Sequence, residues 1–130
     1  MRVRQLLMLC LVLLLSSCVW EHDEVTPDQL VGSTLIVTLE SGAFPASSIT
    51  LQLVSSKDLV WRFDGNLGEQ TGSSDYLVSM INNHTLLLTW RTVATNISYI
   101  ATLDFDADRC FLVRVDKGQN LLAEGVFAIE

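Results

Sequence analysis

Six aromatic side chains recur through the middle of the chain, and four of them carry a hydroxyl or an indole N–H. Such rings suit the wall of a cavity for a small apolar or aromatic molecule, because they offer large apolar faces with a few groups that orient a ligand. The same rings can instead fill a solid core, and the sequence leaves both interpretations open. The candidate ligand contacts are Trp61, Phe63, Tyr76, Trp90, Tyr99 and Phe111, with Trp61, Tyr76, Trp90 and Tyr99 ranked first.

Residues for catalysis are harder to find. His84 is the one imidazole that the pattern places near an interior face, and a histidine beside a turn is usually solvated. No nucleophile with an evident base is present. We therefore assign no catalytic residue and expect a binding protein rather than an enzyme. The charged residues that an active site would need fall on the outward register of their strands: Arg62, Arg91, Arg114, Asp104 and Glu124.

Three alternating carboxylates, Asp104, Asp106 and Asp108, look superficially like the start of a calcium-binding EF-hand loop. The match fails because Arg109 stands where that loop needs glycine and Val115 stands where it needs a bidentate glutamate. A hydrophilic hairpin, in which aspartate side chains bond the local backbone, is the simpler interpretation. We expect no metal site and no cofactor.

The amino terminus has the layout of a secretion signal. Arg2 and Arg4 precede ten apolar residues, a run too short to span a membrane. The following Leu15-Ser16-Ser17-Cys18 resembles the bacterial lipobox. This resemblance implies a signal peptide over residues 1–17 that is removed and a lipid on Cys18. Val19, where aspartate commonly retains lipoproteins in the inner membrane, favours the outer membrane, with the protein facing the periplasm.

The charge of the chain limits its partners. Eight basic residues stand against fifteen acidic ones, for a net charge of −7. Losing Arg2 and Arg4 from the eight leaves six basic residues, hence a side-chain charge of −9. Such a chain is a poor partner for nucleic acid, which needs clustered cations. Attachment to a membrane would depend on acyl chains rather than on basic side chains.

After the signal, residues 18–29 lack an apolar period and are interpreted as a lipidated cysteine followed by an acidic tether. Residues 30–130 contain short alternating runs separated by turn residues, which is typical of an all-β domain. The short connections predict a small antiparallel up-and-down barrel of about eight strands. The predicted strands are Ser33–Glu40, Ser48–Val54, Asp58–Asp64, Ser74–Ile81, His84–Arg91, Ile97–Phe105, Cys110–Val115 and Leu121–Ile129, with a two-residue turn at Asn82-Asn83.

The two-residue period of a strand then divides these runs into an inner and an outer face. Cys110 is the one cysteine outside the signal and lipobox, so we expect it to pack inertly rather than react. Leu87, Ile100 and Leu112 interrupt the outer polar face. The predicted inner residues are Leu59, Trp61 and Phe63; Tyr76, Val78 and Met80; Leu86, Leu88 and Trp90; Tyr99, Ala101 and Leu103; Phe111, Val113 and Val115.

The order of several short motifs resembles the MoaF-like group of calycin β-barrels, which are related to the lipocalins. These motifs are Leu30-Val31-Gly32-Ser33-Thr34, Leu59-Val60-Trp61, Tyr76, Leu88-Thr89-Trp90 and Leu103-Asp104-Phe105. The resemblance covers about residues 30–115 and implies a small barrel whose interior or mouth accepts a small molecule. It implies no particular reaction.

The sequence thus favours a lipid-anchored envelope protein that binds a small apolar or aromatic ligand in a barrel. The alternative is a solid-core barrel that binds or inhibits another envelope protein. Periplasmic lysozyme-inhibitor lipoproteins are similar in size and anchor, and the net acidity would suit a cationic target. They usually carry a structural disulfide, however, which Cys110 alone cannot form.

Overall fold

A computed structural model describes residues 24–44, 46–65 and 70–130, which form a closed antiparallel barrel of eight strands. The predicted all-β, up-and-down barrel is confirmed. The predicted signal peptide and Cys18 lie outside the described residues. The strands are β1 (Thr34–Gly42), β2 (Ala46–Leu53), β3 (Asp58–Gly65), β4 (Gln70–Asn82), β5 (Thr85–Thr92), β6 (Ile97–Asp104), β7 (Arg109–Asp116) and β8 (Gln119–Ile129).

Each strand pairs with its neighbour in the sequence, and β1 pairs with β8 to close the sheet. The closing seam runs from the pair Leu35 and Ile129 to the pair Gly42 and Ala123. A register shift between Leu39 and Ser41 bends β1 around the barrel. Closure leaves no unpaired edge, which removes the surface through which small sheets aggregate.

A short 3-10 helix, Pro27–Leu30, closes one end of the barrel. Proline at its first position suits a helix start because the missing N–H has no partner there in any case. Leu30 inserts into the core with 1% of its surface exposed. The backbone is held to the barrel by hydrogen bonds from Val25 N to Asn83 O (2.9 Å) and from Gly32 N to Leu53 O (2.8 Å). Residues 25–29, which the sequence analysis assigns to the tether, therefore attach to the barrel.

The two ends of the barrel differ in their loops. We call the end with this 3-10 helix the helix end; it also carries the β2–β3, β4–β5 and β6–β7 connections. The opposite end carries the other connections and is called the cavity end, after the cavity described below. In the described part of the chain, no helix is long and apolar enough to cross a membrane. Aliphatic side chains that are fully buried fill the interior toward the helix end: Leu35, Leu53, Leu59, Leu86, Leu88 and Leu103.

The predicted inner faces hold for β3, β5 and β6, but the prediction for β7 is wrong. Phe111 lies on the outside with 48% of its surface exposed, whereas Cys110 and Leu112 are buried. Arg114 pairs with the buried Tyr99 across β6 and β7, and both residues line the interior. Both faces of β7 are largely apolar, so hydrophobicity alone does not determine its phase. Met80, also predicted to be inside, is exposed where β4 reaches the helix end.

The β4–β5 turn is displaced by one residue from its predicted place. The loop is Asn83 and His84, and Asn82 is the last residue of β4. Asn82 shapes the turn by accepting a hydrogen bond from His84 N on its side-chain oxygen (2.8 Å). Among the described non-glycine residues, positive φ occurs at Asn96, Asp108 and Lys117 in other hairpins.

Cys110 packs in the core with 0% exposure, and burial raises the pKa of its thiol to about 12. Because the thiolate is the reactive form, we expect no reaction with a disulfide reagent at pH 8 in the folded state and stoichiometric reaction in denaturant. A thiol titration of residues 19–130, which contain Cys110 as their one cysteine, measures this. Rapid labelling of the folded protein would contradict the buried position.

Gly125 sits on β8 where the bent β1 passes closest. A Cβ there would overlap the carbonyl of Thr38 and come within 2.9 Å of the Leu39 Cα, so backbone would have to move. We expect Gly125→Ala to lower the free energy of unfolding by about 1–3 kcal/mol, as overpacking usually does. Asn120→Ala, at an exposed position of the same strand, is the control and should change it by less than about 0.5 kcal/mol. Equal unfolding midpoints in urea would contradict the tight seam.

Candidate functional site

A cavity of about 240 Å³ lies at the cavity end of the barrel, above the packed leucines. It exists because the side chains lining this level include small ones, notably Ala46 and Gly65. The interior is therefore neither a solid plug nor an open tube: its helix half is filled, and its cavity half is hollow. The cavity is lined by Phe44, Ala46, Trp61, Phe63, Gly65, Gln70, Thr92, Thr95, Ile97, Tyr99 and Arg114.

Five aromatic rings form one connected cluster around this cavity. Phe63 stands at its centre, with ring centroids 4.9 Å from Trp61, 5.2 Å from Tyr99 and 6.2 Å from Phe44. Trp90 stacks on Tyr99 with centroids 5.0 Å apart and planes 12° apart. Rings in mutual contact restrict one another's rotation, so the wall is preformed rather than adaptable.

Gly72 on β4 makes room for the Trp61 ring. The two residues are paired across β3 and β4, and a Cβ on Gly72 would overlap the six-membered part of the indole. The absent side chain lets the indole lie flat against β4 and stack on Phe63 at an interplanar angle of 28°. The position of Trp61 in the wall thus depends on a glycine in the neighbouring strand.

Arg114 brings a positive charge to the cavity wall. It lies directly opposite Tyr99 in the β6–β7 register, and 20% of its side chain is exposed. Its Nη2 contacts Asp116 Oδ2 at 3.4 Å, which is long for a hydrogen bond between charged groups. Burial raises the pKa of the Tyr99 hydroxyl, and the nearby Arg114 guanidinium opposes that shift. Tyr99 therefore remains a neutral hydroxyl, able to donate a hydrogen bond at neutral pH.

Some polar atoms of this interior have no hydrogen-bond partner within the described chain. They include Trp61 Nε1 and Arg114 Nε, both on residues that line the cavity, together with Trp90 Nε1 and Ser74 Oγ. Buried donors normally find acceptors, because an unmade hydrogen bond costs about 1–3 kcal/mol. The N–H groups of the two lining residues are thus unused by the protein and enclosed, so an acceptor would reach them only if neighbouring side chains move.

Two threonines complete the polar part of the wall. Thr92 is buried, and its Oγ1 lies 2.5 Å from Thr95 Oγ1 and donates to Ile97 O at 3.2 Å. These bonds hold the β5–β6 turn, in which Asn96 adopts a positive φ of 57°. The hydroxyls are thus engaged in fixing a loop of the cavity end.

The structure separates the six predicted ligand contacts. Trp61, Phe63 and Tyr99 line the cavity, and Trp90 supports it by stacking on Tyr99. Tyr76 pairs with Trp90 across β4 and β5 but does not line this cavity, and its hydroxyl donates to Ser55 O at 2.6 Å in the β2–β3 turn. The predicted inward position of Phe111 is wrong, as described above for β7. Sequence reasoning missed Phe44, which lies in a loop outside any alternating run, and it missed Arg114, whose charge was taken to face solvent.

His84 and the three aspartates considered for metal binding lie at the other end of the barrel. His84 Nδ1 is 3.6 Å from Asp106 Oδ1 at the helix end, remote from the cavity. Asp104 Oδ1 accepts hydrogen bonds from the backbone N–H groups of Asp106 (3.0 Å) and Ala107 (3.2 Å), so it shapes the β6–β7 hairpin as expected. Within residues 24–44, 46–65 and 70–130, no group of three histidine, cysteine or carboxylate residues is placed to hold a metal ion.

Comparison with known proteins adds a likeness of fold. No family model matches the chain, and no curated protein matches it. Among solved structures it is similar to one described as a putative beta-lactamase from Burkholderia vietnamiensis. That similarity has a TM-score of 0.67 at 13% identity and covers 78% of this chain and 95% of the other. At such low identity, it shows that the barrel recurs and carries no function across.

The cavity wall predicts a specific response to filling the space beside Trp61. Gly72→Ala puts a methyl group where the indole lies, so we expect the ring to leave its stack on Phe63. The near-ultraviolet circular dichroism should change, and the free energy of unfolding should fall by about 1–3 kcal/mol. Ser73→Ala, at the exposed neighbouring position, should alter neither. An unchanged aromatic spectrum for Gly72→Ala would show that Trp61 is not packed on β4.

Proposed function

We propose that this protein is a lipid-anchored binding protein of the bacterial cell envelope, which holds a small apolar or aromatic molecule at the cavity end of its barrel. The observation that carries the proposal is a hollow of about 240 Å³ with four rings in its wall and unpaired N–H donors on two of its lining residues. Aromatic walls with a few convergent polar groups are the usual composition of small-molecule sites.

The size of the cavity limits the ligand. An engineered protein cavity of about 150 Å³ binds benzene, and sites for drug-sized ligands are usually about 300 Å³ or larger. A volume near 240 Å³ therefore suits one aromatic ring with a short substituent. Because ring contacts fix the walls, a fused or branched ligand would have to displace Phe63 or Tyr99.

The position of the described amino terminus supports an anchored arrangement. Val25 is hydrogen-bonded at the helix end, whereas the cavity lies at the opposite end. A lipid on Cys18 would therefore tether the helix end and leave the cavity facing away from the bilayer. The lipobox-like Leu15-Ser16-Ser17-Cys18, followed by Val19, supports the outer membrane and the periplasm as the location.

The residues that line the cavity support binding of a ligand without its chemical conversion. Among the described residues, the lining contains neither a histidine nor a carboxylate nor a lysine that would act as a base. The hydroxyls of Thr92 and Thr95 contact each other rather than a general base. The beta-lactamase description of the Burkholderia structure therefore finds no support among these residues.

A second candidate function is binding of an envelope protein, favoured by the outer surface of the barrel. Phe111 and Leu122 are exposed there by 48% and 65%, side by side on β7 and β8 and not covered by any described element. Contiguous exposed apolar groups often belong to an interaction surface. The acidity of the chain would then favour a cationic partner.

The ligand proposal is tested by calorimetric titration of the lipid-free protein, residues 19–130, with neutral single-ring probes such as p-cresol and cinnamyl alcohol. We expect saturable one-to-one binding. Ala46→Leu should weaken it at least about tenfold, because a larger side chain fills the cavity. Ala128→Leu is the matched control, since Ala128 is exposed on the outer face of β8.

Binding that Ala46→Leu leaves unchanged would place the probes outside the cavity and contradict the proposal. The absence of saturable binding by the whole set of probes would also contradict it and would favour the protein-binding function. A second readout is the indole N–H resonance of Trp61, which should shift when a hydroxyl oxygen accepts its hydrogen bond.

A further inference from the structure

The charges around the cavity are unusual for this chain. The protein has fifteen acidic and eight basic residues, yet the described lining contains one arginine and no acid. The lining's other polar side chains are neutral: Gln70, Thr92, Thr95, Tyr99 and the indole of Trp61. The lining thus brings one positive charge to the cavity wall, with the carboxylate of Asp116 3.4 Å from it.

Arg114 has hydrogen-bond donors that its neighbours do not accept. A guanidinium has five N–H donors in a planar fork. One of them is directed to Asp116 at 3.4 Å, the same guanidinium interacts with the Tyr99 hydroxyl, and the buried Nε has no partner within the described chain. The guanidinium therefore has more donors than these two neighbours accept.

Two neighbouring donors also favour a ligand that carries acceptor oxygens. The Tyr99 hydroxyl, kept neutral by burial, lies across the strand pair from Arg114. The unpaired indole N–H of Trp61 belongs to the same wall. Guanidinium, phenol and indole all donate, so a ligand that supplies several acceptor oxygens satisfies more of this wall than a ligand with one.

We propose that the ligand is a single-ring aromatic carboxylate, with its carboxylate on Arg114 and its ring among Phe63, Trp61 and Tyr99. This inference rests on the proposed function and names its ligand class. The planar fork of arginine matches the two oxygens of a carboxylate, which is why arginine is the usual residue for this group. The cavity of about 240 Å³ accommodates such a molecule but leaves little room for a second ring.

Two probes that differ at the head group test this class. Trans-cinnamate and cinnamyl alcohol share the ring and the three-carbon chain, and one of them is an anion. We expect cinnamate to bind the unlipidated protein, residues 19–130, at least about tenfold more tightly, since a hydrogen bond to a charged group is stronger than one between neutral groups.

Variants then assign the difference to one residue. Arg114→Gln should remove most of the advantage of cinnamate over cinnamyl alcohol. Arg114→Lys keeps the charge without the fork and should retain only part of the advantage. Arg91→Gln removes an exposed charge on the outer face of β5 and is the matched control, expected to change neither affinity. Circular dichroism on each variant verifies the fold.

The outcomes separate this inference from the proposed function. If cinnamyl alcohol binds the wild-type protein as tightly as cinnamate, the carboxylate class is wrong and the cavity remains a ligand site. If Arg91→Gln weakens cinnamate as much as Arg114→Gln does, the attraction is general and the assignment to Arg114 is overturned. If neither probe binds, both this inference and the proposed function fail. If Arg114→Gln does not fold, Arg114→Lys is the deciding variant. If it keeps the full cinnamate advantage, the carboxylate does not depend on the planar guanidinium.

Discussion

The pairing of β1 with β8 is the constraint on which the rest of the structure depends. Seven hairpin-like connections would otherwise produce an open meander with two unpaired edges. Closure fixes the circumference of the barrel, and an eight-stranded circumference leaves an interior little wider than its own side chains. Gly125 and the bend of β1 at Leu39 permit the seam, because a side chain at this glycine would overlap the opposite backbone. Everything inside the barrel must then share a fixed and narrow volume.

That shared volume explains why the cavity occurs at one end and not in the middle. Large aliphatic side chains meet across the helix half and leave no space, and Leu30 of the 3-10 helix fills the end of it. At the cavity end, Ala46 and Gly65 replace large side chains, and the rings pack against one another, including Phe63 of β3 and Tyr99 of β6. The aromatic cluster thus acts as a wall because neighbouring rings hold each ring upright. Trp61 in particular lies against Gly72, so its orientation is set from β4 as well as from its own strand.

The sequence was informative where one face of a strand was polar. In β3 and β6 the charged or hydroxyl residues alternate with the apolar ones, so the register follows from the pattern and the barrel from the short connections. In β7, Cys110 and Leu112 alternate with Phe111 and Val113, and both series are apolar. The prediction that Phe111 faces inward places Arg114 in water. That is the ordinary position of arginine, but Arg114 lines the cavity. Phe44 lay in a loop, and its contact with Phe63 and Tyr99 is a tertiary arrangement that no local pattern encodes.

The inward position of Arg114 also bears on the function of the barrel. Desolvating a guanidinium is expensive, and replacing a buried ion pair by apolar side chains is often neutral or stabilising. A barrel selected only for a stable core would have little reason to direct arginine inward with its Nε unpaired. The contact with Asp116 offsets part of the desolvation, but at 3.4 Å and with both groups partly exposed it contributes little. Departures from local rules of this kind concentrate at functional sites, where an interaction with a ligand supplies what the free protein lacks. The error in the phase of β7 and the candidate site therefore have the same origin, a charged side chain placed where folding alone would have put leucine.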